Sequence, residues 1–159
     1  MTVEAVQPTA PTVPYGRLVP VTVHFDELDA LGMLHNSRFP LHVERAFTQY
    51  WSGQGFRFEG DWEAAGDMCN VVKDLHITYE QPVHLPGEYA VHVWVEELGR
   101  TSLTYGFRFC SADGGTTHAL GRRVLVRVDA RTRRPTPWSE HARAVAGELL
   151  RHEPAATAA

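Results

Sequence analysis

The chain has 159 residues, 43% of them hydrophobic, which suits one domain closed around one core. Its net charge of −4 and its lack of basic runs exclude nucleic acid as the main partner, because phosphate binding needs clustered Lys and Arg. Cys69 and Cys110 have no partners at metal-ligand spacing, and no charged leader or bilayer-length apolar run occurs, so we expect a soluble, cytoplasmic protein without disulfides, metal or membrane attachment.

The first residues carry Pro8, Pro11 and Pro14 among Thr, Ala and Val, and the last read EPAATAA, compositions that suit neither a helix nor a central strand. The expected boundaries are a disordered leader over 1–16, one folded domain over 17–152 and a disordered tail over 153–159. Within the domain, Val19, Val21, Val23 and Phe25 alternate with polar residues, the pattern of a half-buried strand. An acidic, glycine-containing loop follows. Phe39, Val43, Ala46, Phe47 and Tyr50 then fall at helical spacing, with Pro40 where a first-turn proline is tolerated and the end set near Gly53 and Gly55.

A Gly-rich stretch with a short helical turn around Trp62 to Ala65 leads to four long strands. Leu75, Ile77 and Tyr79 mark the first, and Tyr89, Val91, Val93 and Val95 the second. Leu103, Tyr105, Phe107 and Phe109 mark the third, and Val124, Val126 and Val128 the fourth. Pro86-Gly87, Gly99-Arg100 and Asp113-Gly114-Gly115 supply the turns between them. Trp138 to Arg151 reads as a terminal helix with Ser139 as its N-cap and Glu140 in its first turn. One strand, one long helix and four strands give an α+β fold, an antiparallel sheet wrapped around the helix. The sheet's edges and outer face call for a partner surface, so a homodimer or homotetramer is expected.

Function concentrates between the first strand and the helix, in His24-Phe25-Asp26-Glu27-Leu28-Asp29-Ala30-Leu31-Gly32-Met33-Leu34-His35-Asn36. A helix start presents unpaired N–H groups and partial positive charge, and Gly32 permits a tight approach of a substrate carbonyl. Asp29 precedes Asn36 by seven residues, enough for the loop to fold back and set its carboxylate beside a substrate carbonyl whose oxygen meets the Asn36 amide. Asp26 and Glu27 read as ordinary loop and capping residues.

The order acid, glycine, His-Asn and aromatic resembles the signature of the 4-hydroxybenzoyl-CoA thioesterase-like family, roughly D-x-D-A-x-G-H-V-N-N-x-x-Y. Further matching pieces run in order from Val19 to Trp138: Val72 to Val83 with Gly87, Leu98 to Ser102, and Val128-Asp129 with Arg133-Arg134-Pro135. Met33 stands where the pattern has His, and His35 where it has the first Asn. The resemblance implies a hot-dog fold, acyl-CoA thioesterase activity, an active site at a dimer interface and no cofactor. It places Asp29 on the catalytic aspartate, nucleophile or base, and Asn36 on the oxyanion amide. Another branch carries its catalytic carboxylate on the helix, the register of Glu44, whose plain reading is a salt bridge to Arg45 or Arg38. His35 either polarises the substrate or caps the loop. Arg100, Thr101 and Ser102 match a hairpin near the coenzyme A arm, with Arg122, Arg123, Arg133 and Arg134 as lesser candidates for phosphate contacts. The remaining histidines, His42 and His92 among them, read as structural or surface residues.

Two other functions compete with acyl-CoA hydrolysis. Asp29 and His35 faintly match the Asp and His of hot-dog enoyl-CoA hydratases, although Ala30-Leu31-Gly32-Met33-Leu34 intervenes in place of an Asn- and Pro-containing spacer. An acyl-CoA-binding module without turnover would keep the fold but has no need of Asp29.

Overall fold

A computed structural model of the chain describes residues 11–152. Residues 1–10 of the expected leader and all of the expected tail lie outside the described residues. The alternating segments form five strands, β1 (Arg17–Val23), β2 (Asn70–Tyr79), β3 (Gly87–Leu98), β4 (Ser102–Ser111) and β5 (Thr117–Arg127), and the amphipathic segments form α1 (Arg38–Gly53) and α2 (Glu140–Glu148). All strand pairs are antiparallel, in the order β1-β3-β4-β5-β2. This is the expected α+β arrangement, with α1 packed on one face of the sheet. Pro40 sits in the first turn of α1, where its missing N–H removes no intrahelical bond.

Residues opposite one another across antiparallel strands share a face, so the register shows which side chains meet α1. Val91 faces Phe109, Val93 faces Phe107 and Val95 faces Tyr105, all essentially without solvent exposure. Phe39 packs edge-on against Phe109, and Phe47 packs tilted by 45° against Tyr105, so α1 runs from the Phe109 end of β4 toward its Tyr105 end. On the outer face the Trp94 indole lies over Gly106, and a Cβ there would come within 2.1 Å of it. Tyr15, placed by sequence in the leader, packs edge-on against Trp94 and accepts a hydrogen bond on its carbonyl from His92 Nε2 at 2.8 Å.

Three details differ from the sequence reading. Phe25 does not continue the strand: a 3-10 turn over Phe25–Glu27 turns its ring outward, 81% exposed, and buries Glu27 instead. In β5 the residues facing α1 are Ala119, Gly121, Arg123 and Leu125, set opposite Phe109, Phe107, Tyr105 and Leu103, while Val124 and Val126 point the other way. Trp62 to Ala65 makes a turn, and the short 3-10 helix comes just after it, over Gly66–Met68.

The edge strand β2 is the least covered. Val72, Leu75, Ile77 and Tyr79 share the face of α1, yet Val72, Leu75 and Tyr79 are 43–50% exposed because the helix lies over β1, β3 and β4 and meets β2 near its end, where Phe39 packs edge-on against Tyr79.

Candidate active site

The loop from His24 to Ser37 is closed at its neck by a bridge between Leu28 and Leu34. Inside the neck, Asp29 fastens a tight turn with its backbone N–H, its carbonyl and one carboxylate oxygen. Its N–H donates to the Met33 carbonyl at 2.7 Å, and its own carbonyl accepts from Gly32 N–H at 3.0 Å. Its Oδ1 accepts from Leu31 N–H at 2.8 Å and Met33 N–H at 3.1 Å. The turn requires the left-handed backbone of Gly32, φ 73°, which side-chain-bearing residues adopt at a cost. Asp29 Oδ1 is thus immobilised, while Oδ2 accepts from no protein group among the described residues.

At the other side of the loop, His35 prepares the start of α1. Ser37 N–H donates to His35 Nδ1 at 3.2 Å, and Ser37 Oγ lies 2.9 Å from the same nitrogen. A ring nitrogen that accepts from a backbone N–H carries no proton, so the neutral ring holds its proton on Nε2. The His35 carbonyl accepts from Arg38 N–H at 2.8 Å. Between them the Asn36 N–H finds no acceptor among the described residues, and the Asn36 carbonyl accepts from the Tyr79 hydroxyl at 3.1 Å. Asp29, His35 and Asn36 line one cavity of about 390 Å³, walled otherwise by Met33, Phe39, Tyr79 and Pro82 among others. Asp29, with one carboxylate oxygen anchored, and Asn36, with a free amide just before the helix start, therefore line the same largely apolar space. The one can attack or deprotonate, and the other can stabilise charge developing on an acyl oxygen.

The remaining sequence candidates lie elsewhere. Gly32 is exposed at the turn and contributes its backbone conformation. Glu44 does not line the cavity: it pairs with Arg123, not with Arg45 or Arg38, because Arg123 is buried on the α1 side of β5, its guanidinium 5.8 Å from the centre of the Phe47 ring. Arg123 is accordingly no outer-face residue. Arg100, Thr101 and Ser102 form the β3–β4 hairpin, at the opposite end of the strands from the loop. Val23 pairs with Gly87 at one end of β3, whereas Leu98 pairs with Leu103 at the other. At about 3.3 Å per residue, the 12-residue β3 separates the two ends by roughly 35 Å. One chain does not bring the hairpin and Asp29 together.

The sequence profile of the thioesterase-like superfamily matches residues 23–145. The chain belongs to the thioesterase-like superfamily. Among solved structures, a thioesterase from Thermus thermophilus complexed with coenzyme A and Zn is 32% identical, covering 80% of this chain and 96% of that one with a TM-score of 0.63. The PA5185 protein of Pseudomonas aeruginosa PAO1 shares the fold with a TM-score of 0.74 at 22% identity, over 86% of this chain and 92% of that one. A Bacillus subtilis protein named "Putative acyl-CoA thioesterase YneP" is 27% identical over 94 residues, 59% of this chain and 67% of that protein.

On this thioesterase-like chain, two residues that the sequence reading did not assign to the site touch its machinery. Tyr79 reads as an ordinary strand residue, yet its hydroxyl holds the Asn36 carbonyl. Glu27 reads as a loop acid, yet it is 6% exposed and faces His42 and Arg45 of α1. His42 and Arg45 lie one helical turn apart, a spacing that could have pointed to a buried acid opposite them.

Proposed function

We propose that the chain hydrolyses an acyl-coenzyme A thioester to a free carboxylic acid and coenzyme A, within a catalytic unit spanning residues 17–152. The observation that carries this reading is the shared cavity of Asp29 and Asn36, with one carboxylate oxygen anchored and the other, like the Asn36 N–H, unpartnered among the described residues. In the proposed step the thioester carbonyl oxygen receives the Asn36 N–H, and Asp29 Oδ2 addresses the acyl carbon. As a nucleophile it displaces the coenzyme A thiolate to give an acyl-aspartyl anhydride, which water then opens. As a base it takes a proton from the water that attacks. Either route consumes one water and releases the thiol. His35, with its proton on Nε2, lines the same cavity and is a candidate donor to the thioester.

The superfamily membership and the Thermus thermophilus structure with coenzyme A support the substrate class. The uncovered face of β2 supports a second copy of the chain as partner. Pairing along this edge would satisfy its free backbone groups, cover Val72 and Leu75, and close the cavity beside Tyr79. Coenzyme A contacts from Arg100, Thr101 and Ser102 would then have to come from another subunit. Glu44 is proposed as a structural ion pair.

The test is release of free thiol from short, medium, long and aromatic acyl-CoAs, with crotonyl-CoA included to detect hydration as loss of enoyl absorbance without thiol. Hydrolysis of at least one thioester, abolished in Asp29→Ala, is expected. Full activity in that variant would remove Asp29 from the chemistry. Label in the Asp29 carboxylate after a single turnover in ¹⁸O-water would establish the anhydride route opened at the aspartyl carbon, since the base route labels the product acid alone.

A further inference from the structure

Asp29 Oδ1 secures its own turn, but nothing in that turn sets its distance from the Asn36 amide. Glu27 makes contacts on the segments that bear on that relation. Its backbone carbonyl accepts the His35 N–H at 3.0 Å, which fixes the residue immediately before Asn36. Its side chain is buried, with Oε2 accepting from His24 N–H at 2.8 Å. Oε1 lies 2.9 Å from His42 Nε2, out of line for a well-formed hydrogen bond, and 3.9 Å from Arg45 Nη1. One carboxylate therefore joins the end of β1 to the second turn of α1, while the same residue's carbonyl grips the loop between them.

A carboxylate so far removed from water is costly unless it is paired, and a loop acid with a capping role alone would stay at the surface. Burial lowers the His42 pKa, against the opposing pull of Glu27, which favours a neutral ring beside the acid. The pair is then a polar clamp and not a strong salt bridge. Its reach runs through the backbone: His24, Glu27, His35 and the helix start form one closed circuit around Asp29.

We propose that Glu27 is a positioning residue, holding the Asn36 amide in register with the Asp29 carboxylate; this rests on the hydrolytic role proposed for that pair. The residue touches no substrate and acts through His24, His35 and His42. Misplacing reacting groups by about 1 Å costs on the order of 100-fold, so loosening the clamp is expected to act on kcat more than on binding.

The experiment compares acyl-CoA hydrolysis by wild type, Glu27→Ala, Glu27→Gln and Glu27→Asp. Thermal unfolding and residue-resolved amide exchange by NMR are measured on the same samples. Glu27→Ala should lower kcat about 10- to 100-fold with KM within about threefold, and amide exchange at His35 and Asn36 should accelerate. Glu27→Gln keeps an oxygen for His24 N–H and an amide toward His42, and should recover most of the kcat and the protection. Glu27→Asp keeps the charge but is one methylene short of spanning both contacts, so its kcat should fall about tenfold. Should Glu27→Ala not fold, the Gln and Asp pair decides the matter. A wild-type kcat in folded Glu27→Ala or in Glu27→Asp would overturn the proposal, as would equal losses in Gln and Asp. If wild type releases no thiol from any acyl-CoA, the hydrolytic reading fails by itself. The exchange rates at His35 and Asn36 then still judge the clamp, acceleration in Glu27→Ala supporting it and unchanged protection overturning it.

Discussion

The two ends of the sheet are built from the same strands and differ in how they treat their polar groups. At the hairpin end, Asp67 accepts from Ser139 N–H at 2.9 Å and Ser139 Oγ–H at 2.6 Å, and its carboxylate lies 3.3 Å from Arg127 Nε. Arg127 N–H donates to the Thr101 carbonyl, Trp138 N–H to Arg100, and Arg143 to Gly99. Among the described residues the buried Trp138 Nε1 and Arg127 Nε lack hydrogen-bond partners there, the latter facing Asp67 as an ion pair. At the loop end, among the described residues, the Asn36 amide and one Asp29 carboxylate oxygen lack partners, and both residues line one cavity. Unmet hydrogen-bonding capacity is expensive in a folded protein, so where it faces a cavity it marks the place where a ligand completes the structure. The closed network marks the place where the chain holds itself together.

If that division is sound, a charge removed at the loop end should cost activity and little stability. Asp29→Asn leaves an oxygen for Leu31 and Met33 N–H while abolishing the negative charge, so kcat should fall about 10²- to 10⁴-fold with an unfolding midpoint near that of wild type. An equal loss of stability would mean that Asp29 is a turn residue first. The reverse behaviour is expected of Asp67→Ala. It strips Ser139 of its acceptor and Arg127 of its ion-pair partner and should lower stability by about 2–3 kcal/mol in denaturant unfolding, with kcat of the folded enzyme unchanged. Ser139 is the finer probe of the same end: its Oγ accepts from Ala142 N–H at 3.1 Å as the cap of α2, and Ser139→Ala should cost about 1 kcal/mol.

The contrast was only half legible in the sequence. The strand alternation of β1, β3 and β4, the helix through Phe39, Val43 and Phe47, and the Ser139 cap all follow from local periodicity and capping chemistry. That Asp29 and Asn36 come to line one cavity was legible because acid, glycine and helix start lie within one short segment. Glu27 was not, since its burial depends on a 3-10 turn that throws Phe25 outward, against the hydrophobic pattern. The inner face of β5 was obscured because Ala119, Gly121 and Arg123 carry little hydrophobic signal, and only the register with β4 shows that they face α1. The separation of Arg100 from Asp29 was equally hidden, because it depends on which strand ends meet across the sheet, a non-local property.

That separation makes Arg100 the sharpest test of whether one chain suffices. Arg100 is exposed, and its carbonyl, not its side chain, takes part in the hairpin network through Trp138 N–H at 3.1 Å. Arg100→Ala should therefore leave stability unchanged, since a surface substitution that breaks no contact shifts it by less than about 0.5 kcal/mol. If the active site is completed within one chain, kcat/KM should also stay within about threefold, as a guanidinium roughly 35 Å away is screened over several Debye lengths. A rise in KM with unchanged kcat would instead assign the guanidinium to uniform binding of the coenzyme A phosphates. Because strand length forbids that contact within the chain, the rise would mean that a partner's hairpin reaches the cavity. Measuring KM for acyl-CoA against that for the same acyl group on a pantetheine lacking the nucleotide separates the cases: only a phosphate contact makes the effect of Arg100→Ala vanish on the truncated substrate.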